Sequence, residues 1–200
     1  MPPRIAQARD KLLDAALGMI RAQGYAGTSV DDLCRAAGVT KGALFHHFPS
    51  KEALAVAATA HFGAMAEGLF AHAPYHAASD PLARVLGYVA FRRDIIDGEF
   101  ADFTCLAGTM VQETYGTSPA IRAACEATIL GHAATLEPDI AAAMAARGIV
   151  GDPASLARHI QAVIQGGFIL AKASGSPAMA RDCLDHLARY LELLFKGDEP

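Results

Sequence analysis

The sequence predicts an all-α protein. Three observations carry this: strand-like alternation is nearly absent, alanine is abundant, and apolar residues recur at helical spacing. Punctuation then divides the chain. Asp80-Pro81, Ser118-Pro119, Asp152-Pro153 and Ser176-Pro177 each set a capping residue before a proline at the first helical position. Gly24, Gly38, Gly98, Gly148 and Gly175 stand where helices should end. About nine helices follow, over 4–23, 29–37, 40–47, 51–72, 81–97, 101–115, 119–147, 153–174 and 177–196. Pro138 lies inside the seventh and should kink or break it. The last four residues, 197–200, read as a frayed tail.

The first three helices and the start of the fourth make one unit. Helix one places Ile5, Leu12, Ala16, Met19 and Ile20 along one face, and helix two does the same with Val30, Leu33 and Ala37. Thr28 or Ser29 caps the second helix, with Asp31 and Asp32 in its first turn, where the helix dipole favours them. Only Gly38-Val39 separates it from Thr40, which caps the third. Two short helices across a tight glycine turn form a helix-turn-helix. Leu44 and Phe48 would anchor the third helix to a core, leaving Thr40, Lys41, Gly42, Ala43, His46 and His47 on its other face. Taken alone, Phe45 reads as a core residue. Residues 1–50 are read as this helix-turn-helix domain and 51–200 as a second helical domain.

Composition sharpens the contrast. The 200 residues are 52% hydrophobic and 19% charged, which excludes disorder, and the formal charge is −4. An acidic total argues against a nucleic-acid partner until it is divided by region. Residues 1–55 hold seven basic and five acidic groups, residues 56–200 ten and sixteen, so a +2 head precedes a −6 body. No signal peptide is expected from Met1-Pro2-Pro3-Arg4, and uncharged runs of about a dozen residues fall short of the roughly 20 that a membrane span needs. The expectation is a cytoplasmic protein with no membrane role. Cys34, Cys105, Cys125 and Cys183 have neither disulfide-framework nor zinc spacing, so no metal and no cofactor is expected.

Two stretches carry a resemblance. Gly24-Tyr25-Ala26-Gly27-Thr28-Ser29-Val30-Asp31-Asp32-Leu33, and then Ala36-Ala37-Gly38-Val39-Thr40-Lys41-Gly42-Ala43-Leu44-Phe45-His46-His47-Phe48-Pro49-Ser50-Lys51-Glu52-Ala53-Leu54, resemble the TetR (tetracycline-repressor) family without gaps over about 50 residues. The resemblance implies an all-helical homodimer with two DNA-binding heads, released from double-stranded DNA by a small ligand in the C-terminal domain. It puts Lys41 and Gly42 against base edges and Thr28, Thr40, His46, His47 and Lys51 on phosphates, and Ser29, Ala43 and Phe45 are counted with the DNA-binding set. The family usually has tyrosine where this chain has Phe45, and often at His46. Phenylalanine keeps a ring for a thymine methyl or sugar and loses the hydroxyl. Independent chemistry agrees: helix N-termini attract phosphate, lysine donates to guanine acceptors, and glycine allows close backbone approach. A two-fold dimer then calls for an inverted repeat.

The remainder is less legible. An apolar face of Leu156, Ile160, Val163, Ile164, Phe168 and Ala171, and a repeat of Leu184, Leu187, Leu191 and Leu194, read as a four-helix dimer interface closed around Gly166-Gly167, with intrachain packing as the alternative. The dimer set is Ile160, Ile164, Gly167, Phe168, Leu184, Leu187 and Leu191. Aromatic and sulfur-bearing residues with scattered polar ones suit a small, largely apolar effector: Phe62, Met65, Tyr88, Phe91, Phe103, Cys105, Thr109, Met110, Gln112, Glu113, His132, Gln165 and Phe168. Cys105, near a helix start, opens a second possibility, a thiol sensor of electrophiles or oxidants. A small helical enzyme would need His132 with Glu137, or His159 with Asp152, as an acid–base pair, and no catalytic motif accompanies either.

Overall fold

A computed structural model describes residues 4–196, with side chains from Gln7 on. The expected frayed tail and the placement of Ile5 on its helix face lie outside these. The order is α1 (Arg4–Gln23), α2 (Val30–Ala37), α3 (Lys41–His47), α4 (Lys51–Ala71), a 3-10 turn (Pro74–Ala77), α5 (Pro81–Asp94), α6 (Phe100–Phe103), α7 (Leu106–Thr114), α8 (Pro119–Ala134), α9 (Glu137–Ala146), α10 (Pro153–Ser174) and α11 (Ala178–Phe195). The protein is all-helical, as the composition requires.

Local chemistry sets the boundaries. Ser29 caps α2 in a reciprocal box with Asp32, and Gly38 ends it at φ 64°, a left-handed conformation that a side chain would resist. The Thr40 hydroxyl accepts from the Ala43 N–H at 3.2 Å and starts α3. All five glycines expected at helix ends have positive φ.

Two long predicted helices are each divided. The sixth breaks at Thr104 and Cys105: the Thr104 hydroxyl returns to the Phe100 carbonyl, its backbone goes extended, and the Cys105 sulfur accepts from the Gly108 N–H at 3.3 Å to start α7. The seventh breaks after Ala134, and Pro138 lies in the first turn of α9, where its missing N–H costs nothing.

The chain forms two compact units. One runs to Ala66 and resumes over Glu99–Thr128; the other takes Glu67–Gly98 and the chain from Ile129 on. In the first, α1 packs on α2, α3, α6 and α7. Leu12, Leu13, Ala16, Ile20, Leu33, Leu44 and Leu54 are sealed from water. Each such leucine or isoleucine contributes about 1.5–3 kcal/mol. In the second, α5 packs on α9, α11 and the 3-10 turn, and α10 on α9 and α11. By length and composition one stretch, Lys51–Ala77, would be apolar enough to cross a membrane. Leu54, Ala55, Ala58 and Thr59 are buried along it.

Candidate functional site

Helix α3 exposes side chains that its own fold does not use. Leu44 and Phe48 bury its inner face. Lys41, Gly42, Phe45 and His46 lie exposed on the outside, with His47 half-buried. Phe45 is 49% exposed, which corrects the core reading of that residue taken alone. A Cβ added to Gly42 would find only the Thr40 Oγ1, at 3.8 Å. The Lys41 ammonium pairs with Asp31 at 2.7 Å, both well exposed, and that contact holds its pKa above the ordinary lysine value. Arg35 pairs similarly with Asp32 at 2.8 Å.

Other residues expected at DNA are committed inside the head. Thr28 is fully buried, its hydroxyl donating to the Gly24 carbonyl at 2.7 Å. Reaching a phosphate would require breaking that turn, so its expected phosphate contact is corrected to a structural role. The Lys51 ammonium donates to the Tyr25 carbonyl at 2.6 Å and lies 4.1 Å from the centre of the Tyr25 ring. Burial pushes its pKa down, against the opposing charge of Glu113. Ser29 is engaged with Asp32 at 2.6 Å.

Glu113 was expected among the ligand-facing groups, and the structure gives it a different task. Its two carboxylate oxygens accept the Tyr25 and Ala26 N–H groups at 2.9 and 2.8 Å. Gly24 has φ 84°, and a Cβ there would fall 2.5 Å from the Glu113 Oε1. The turn between α1 and α2 is therefore shaped around a carboxylate from α7. Two more ties reinforce it within the same unit. The Arg21 guanidinium donates to the Asp102 and Thr104 carbonyls, and the Ser118 hydroxyl donates to Glu52.

The second unit holds a polar cluster centred on Tyr88, which is buried. Its hydroxyl meets His132 Nε2 at 3.0 Å, Arg92 Nε at 3.0 Å and Gln161 Nε2 at 2.8 Å. Arginine and the amide nitrogen only donate, so the tyrosine proton goes to His132, whose own proton then sits on Nδ1. Burial, and secondarily Arg92, push the His132 pKa down to about 3, so the ring stays neutral. Phe70 packs on His132, Tyr88 and Phe91, with centroids 4.7–5.5 Å apart. Gln161 was missed by the sequence reading, because a single glutamine on an apolar helix face carries no motif.

Comparison with known proteins decides what this architecture is. Residues 12–58 match the family described as bacterial regulatory proteins, tetR family, and residues 81–186 match the LmrA/YxaF-like C-terminal domain of transcriptional regulators. The chain belongs to the TetR family. It is a DNA-binding transcriptional regulator of the helix-turn-helix type and not an enzyme. It is 26% identical over 165 residues to the regulator YxaF of Bacillus subtilis (strain 168), covering 82% of this chain and 84% of that one. It is 48% identical over 54 residues to the regulator CymR of Pseudomonas putida, a match spanning 27% of each chain. A TetR-family regulator from Agrobacterium tumefaciens superposes with TM-score 0.82 at 20% identity, covering 94% of this chain and 98% of that one. The reduced form of Escherichia coli NemR gives 0.77 at 23%, covering 90% and 94%.

Within this TetR-family chain the remaining expected residues fall as follows. Thr109 and Gln112 turn back onto the Cys105 and Gly108 carbonyls of their own helix, and Met110 and Phe103 are buried. Phe62 lies under Arg21, Met65 is exposed, Gln165 is half-buried and Phe168 is buried. Neither proposed acid–base pair forms: His132 bonds Tyr88, His159 stacks on Tyr190, and Asp152 holds Arg158.

The expected dimer set needs correction. Ile160, Ile164, Gly167, Phe168, Leu184, Leu187 and Leu191 are all buried inside one chain, where α10 and α11 pack together. A Cβ on Gly167 would sit 3.4 Å from Ala180 and Cys183 of α11, so that glycine serves an intrachain approach. The exposed seam lies one residue away. On α11 it runs through exposed Met179, His186, Tyr190 and Leu193 with half-buried Cys183 among them; on α10 it runs through exposed His159, Leu170 and Ala173 with half-buried Val163 and Gly166. Leu193 is 69% exposed, and a Cβ added at Gly166 would meet no atom of the described residues within 4 Å beyond its own helix backbone.

Proposed function

We propose that this regulator is a cytoplasmic repressor that binds an inverted-repeat operator as a homodimer and is released by a small, largely apolar effector. The observation that carries the reading is the outer face of α3. Phe45 is an exposed aromatic ring, and Gly42 is a helical glycine with open space around it. Both are unfavourable in an isolated head and favourable against DNA. Lys41, Gly42, Ala43 and Phe45 are assigned to the major groove, and Thr40, His46 and His47 to the backbone. Lys51 and Ser29 act by holding the head in shape.

The partly exposed 4-3-4-3 seams of α10 and α11 support pairing with a second copy, since both follow coiled-coil spacing. A dimer places two α3 helices on half-sites about 34–36 Å apart. An effector can release DNA only by favouring a dimer state with misplaced heads. Glu113, which fixes the α1–α2 turn from α7, is suited to carry that change. The test is binding to an inverted repeat and to scrambled DNA over a salt series. Sequence preference with a steep salt slope is expected, because phosphate contacts release counterions. Equal affinity for both DNAs at physiological salt overturns the reading.

Cys105 favours a second reading, thiol sensing, through the Gly108 N–H that its sulfur accepts at the start of α7. Absence of labelling at Cys105 in the native protein removes it.

A further inference from the structure

We propose that Arg92 is the anion-receiving group of the effector site, so that the effector is an apolar or aromatic body bearing a carboxylate. The inference rests on the effector-responsive reading above and adds the ligand's charge to it.

The arginines of the second unit make the contrast. Arg84 holds Asp139 at 2.7 Å, Arg93 holds Asp185 at 2.6 Å, Arg147 holds Asp80 at 2.9 Å, Arg158 holds Asp152 at 3.5 Å and Arg181 reaches Asp97 at 3.8 Å. Arg92 is half-buried and has no carboxylate partner among the described residues. Its Nε donates to the Tyr88 hydroxyl, and its guanidinium lies 4.3 Å from the Phe70 ring centre. That leaves the four Nη hydrogens without an acceptor among the described residues.

The surroundings do not supply the missing charge. Tyr88 gives its proton to a neutral His132. Burial raises the Tyr75 pKa to about 12, so Tyr75 is also neutral at physiological pH. The acid whose field reaches this region, Asp139, is already bound by Arg84. A half-buried guanidinium bonded to a hydroxyl and lying over ring faces, with no acid beside it, keeps its Nη donors for an incoming anion. The planar donor edge of arginine matches a carboxylate with two parallel hydrogen bonds, and half-buried Phe91, packed edge-on against the buried Phe70, adds an apolar ring to this region.

The experiment titrates the full-length protein calorimetrically with two matched pairs: naphthalene-2-carboxylate against its amide, and decanoate against its amide. At least one acid should bind roughly tenfold or more tightly than its amide. Arg92→Gln should abolish that preference and leave amide affinity within about twofold, while Arg92→Lys, which keeps the charge and loses the fork, should retain part of it. Ligand-free operator affinity, measured on the same proteins, should not change. Acids and amides binding alike, no acid binding at all, or a preference that survives Arg92→Gln overturns the proposal. An acid that binds through Arg92 without lifting the protein from its operator upholds the anion site and counts against the effector-release reading instead.

Discussion

A methyl group added at Gly42 would lie 3.8 Å from the Thr40 hydroxyl and, beyond its own helix backbone, meet no other atom of the described residues within 4 Å. Glycine inside a helix costs about 0.5–1 kcal/mol relative to alanine, and here no intrachain contact offsets it. Gly42→Ala should therefore raise head stability by about that amount in urea unfolding, and at the same time weaken operator binding. Unchanged operator affinity would mean that the backbone at 42 does not approach DNA. His132 allows a prediction of defined sign. Its folded pKa of about 3 lies below the ordinary value of 6.5, so below pH 6.5 the unfolded chain takes up a proton that the folded chain refuses. Stability from this group is full above pH 6.5 and declines as pH falls toward 3, on the order of 3 kcal/mol between pH 7 and pH 4. Urea midpoints across that range should fall, and His132→Gln should flatten the fall. At this scale the exposed face of α3 was legible, because Leu44 and Phe48 announce which side is inside. Thr28 and Lys51 were not, because a hydroxyl or ammonium turned toward a backbone carbonyl leaves no sequence pattern.

Among elements, the contact that joins α7 to the head is a carboxylate seated on two adjacent N–H groups. Glu113→Gln replaces one acceptor oxygen with a donor, leaving Tyr25 or Ala26 without its partner. Helical content and dimerisation should hold, operator affinity should fall on the order of tenfold, and Glu113→Asp should recover part of it. Full operator affinity in Glu113→Gln would show that the turn keeps its shape without this tie. Sequence periodicity located nearly every helix, since proline and glycine mark their ends. It ran α6 into α7 because the stop is a buried threonine hydroxyl followed by a cysteine cap, neither of which is a recognised terminator. It also assigned to a dimer a row of residues that lies buried within the single chain. Two heptad-spaced rows run side by side on α11, and the leucine-rich one is the row that a single chain needs for its own core.

For the molecule as a whole, the charge of −4 divides into a +2 head and a −6 body, and the structure refines that division. Lys41 and Arg35 are held by Asp31 and Asp32, so two of the head's cations are already paired within the chain. Six aspartates of the second unit face arginines, which leaves Arg92 as its one half-buried arginine without an acid among the described residues. Pairing two heads on one inverted repeat requires a dimer, and the rows available for it are the exposed ones. Leu193 and Leu170, at 69% and 51% exposure, have water on one side in the single chain. Replacing both with glutamate should leave circular dichroism and the melting midpoint nearly unchanged. Sedimentation should then report a monomer, and affinity for the inverted repeat should drop to that for an isolated half-site. Leu187→Glu with Leu191→Glu should behave differently, collapsing the packing of α10 and α11 and unfolding the second unit, because those side chains are 2% and 0% exposed. If the Leu170 and Leu193 double variant remains a dimer with full operator affinity, the outer seam is not the interface and the two-headed arrangement must be built from another face.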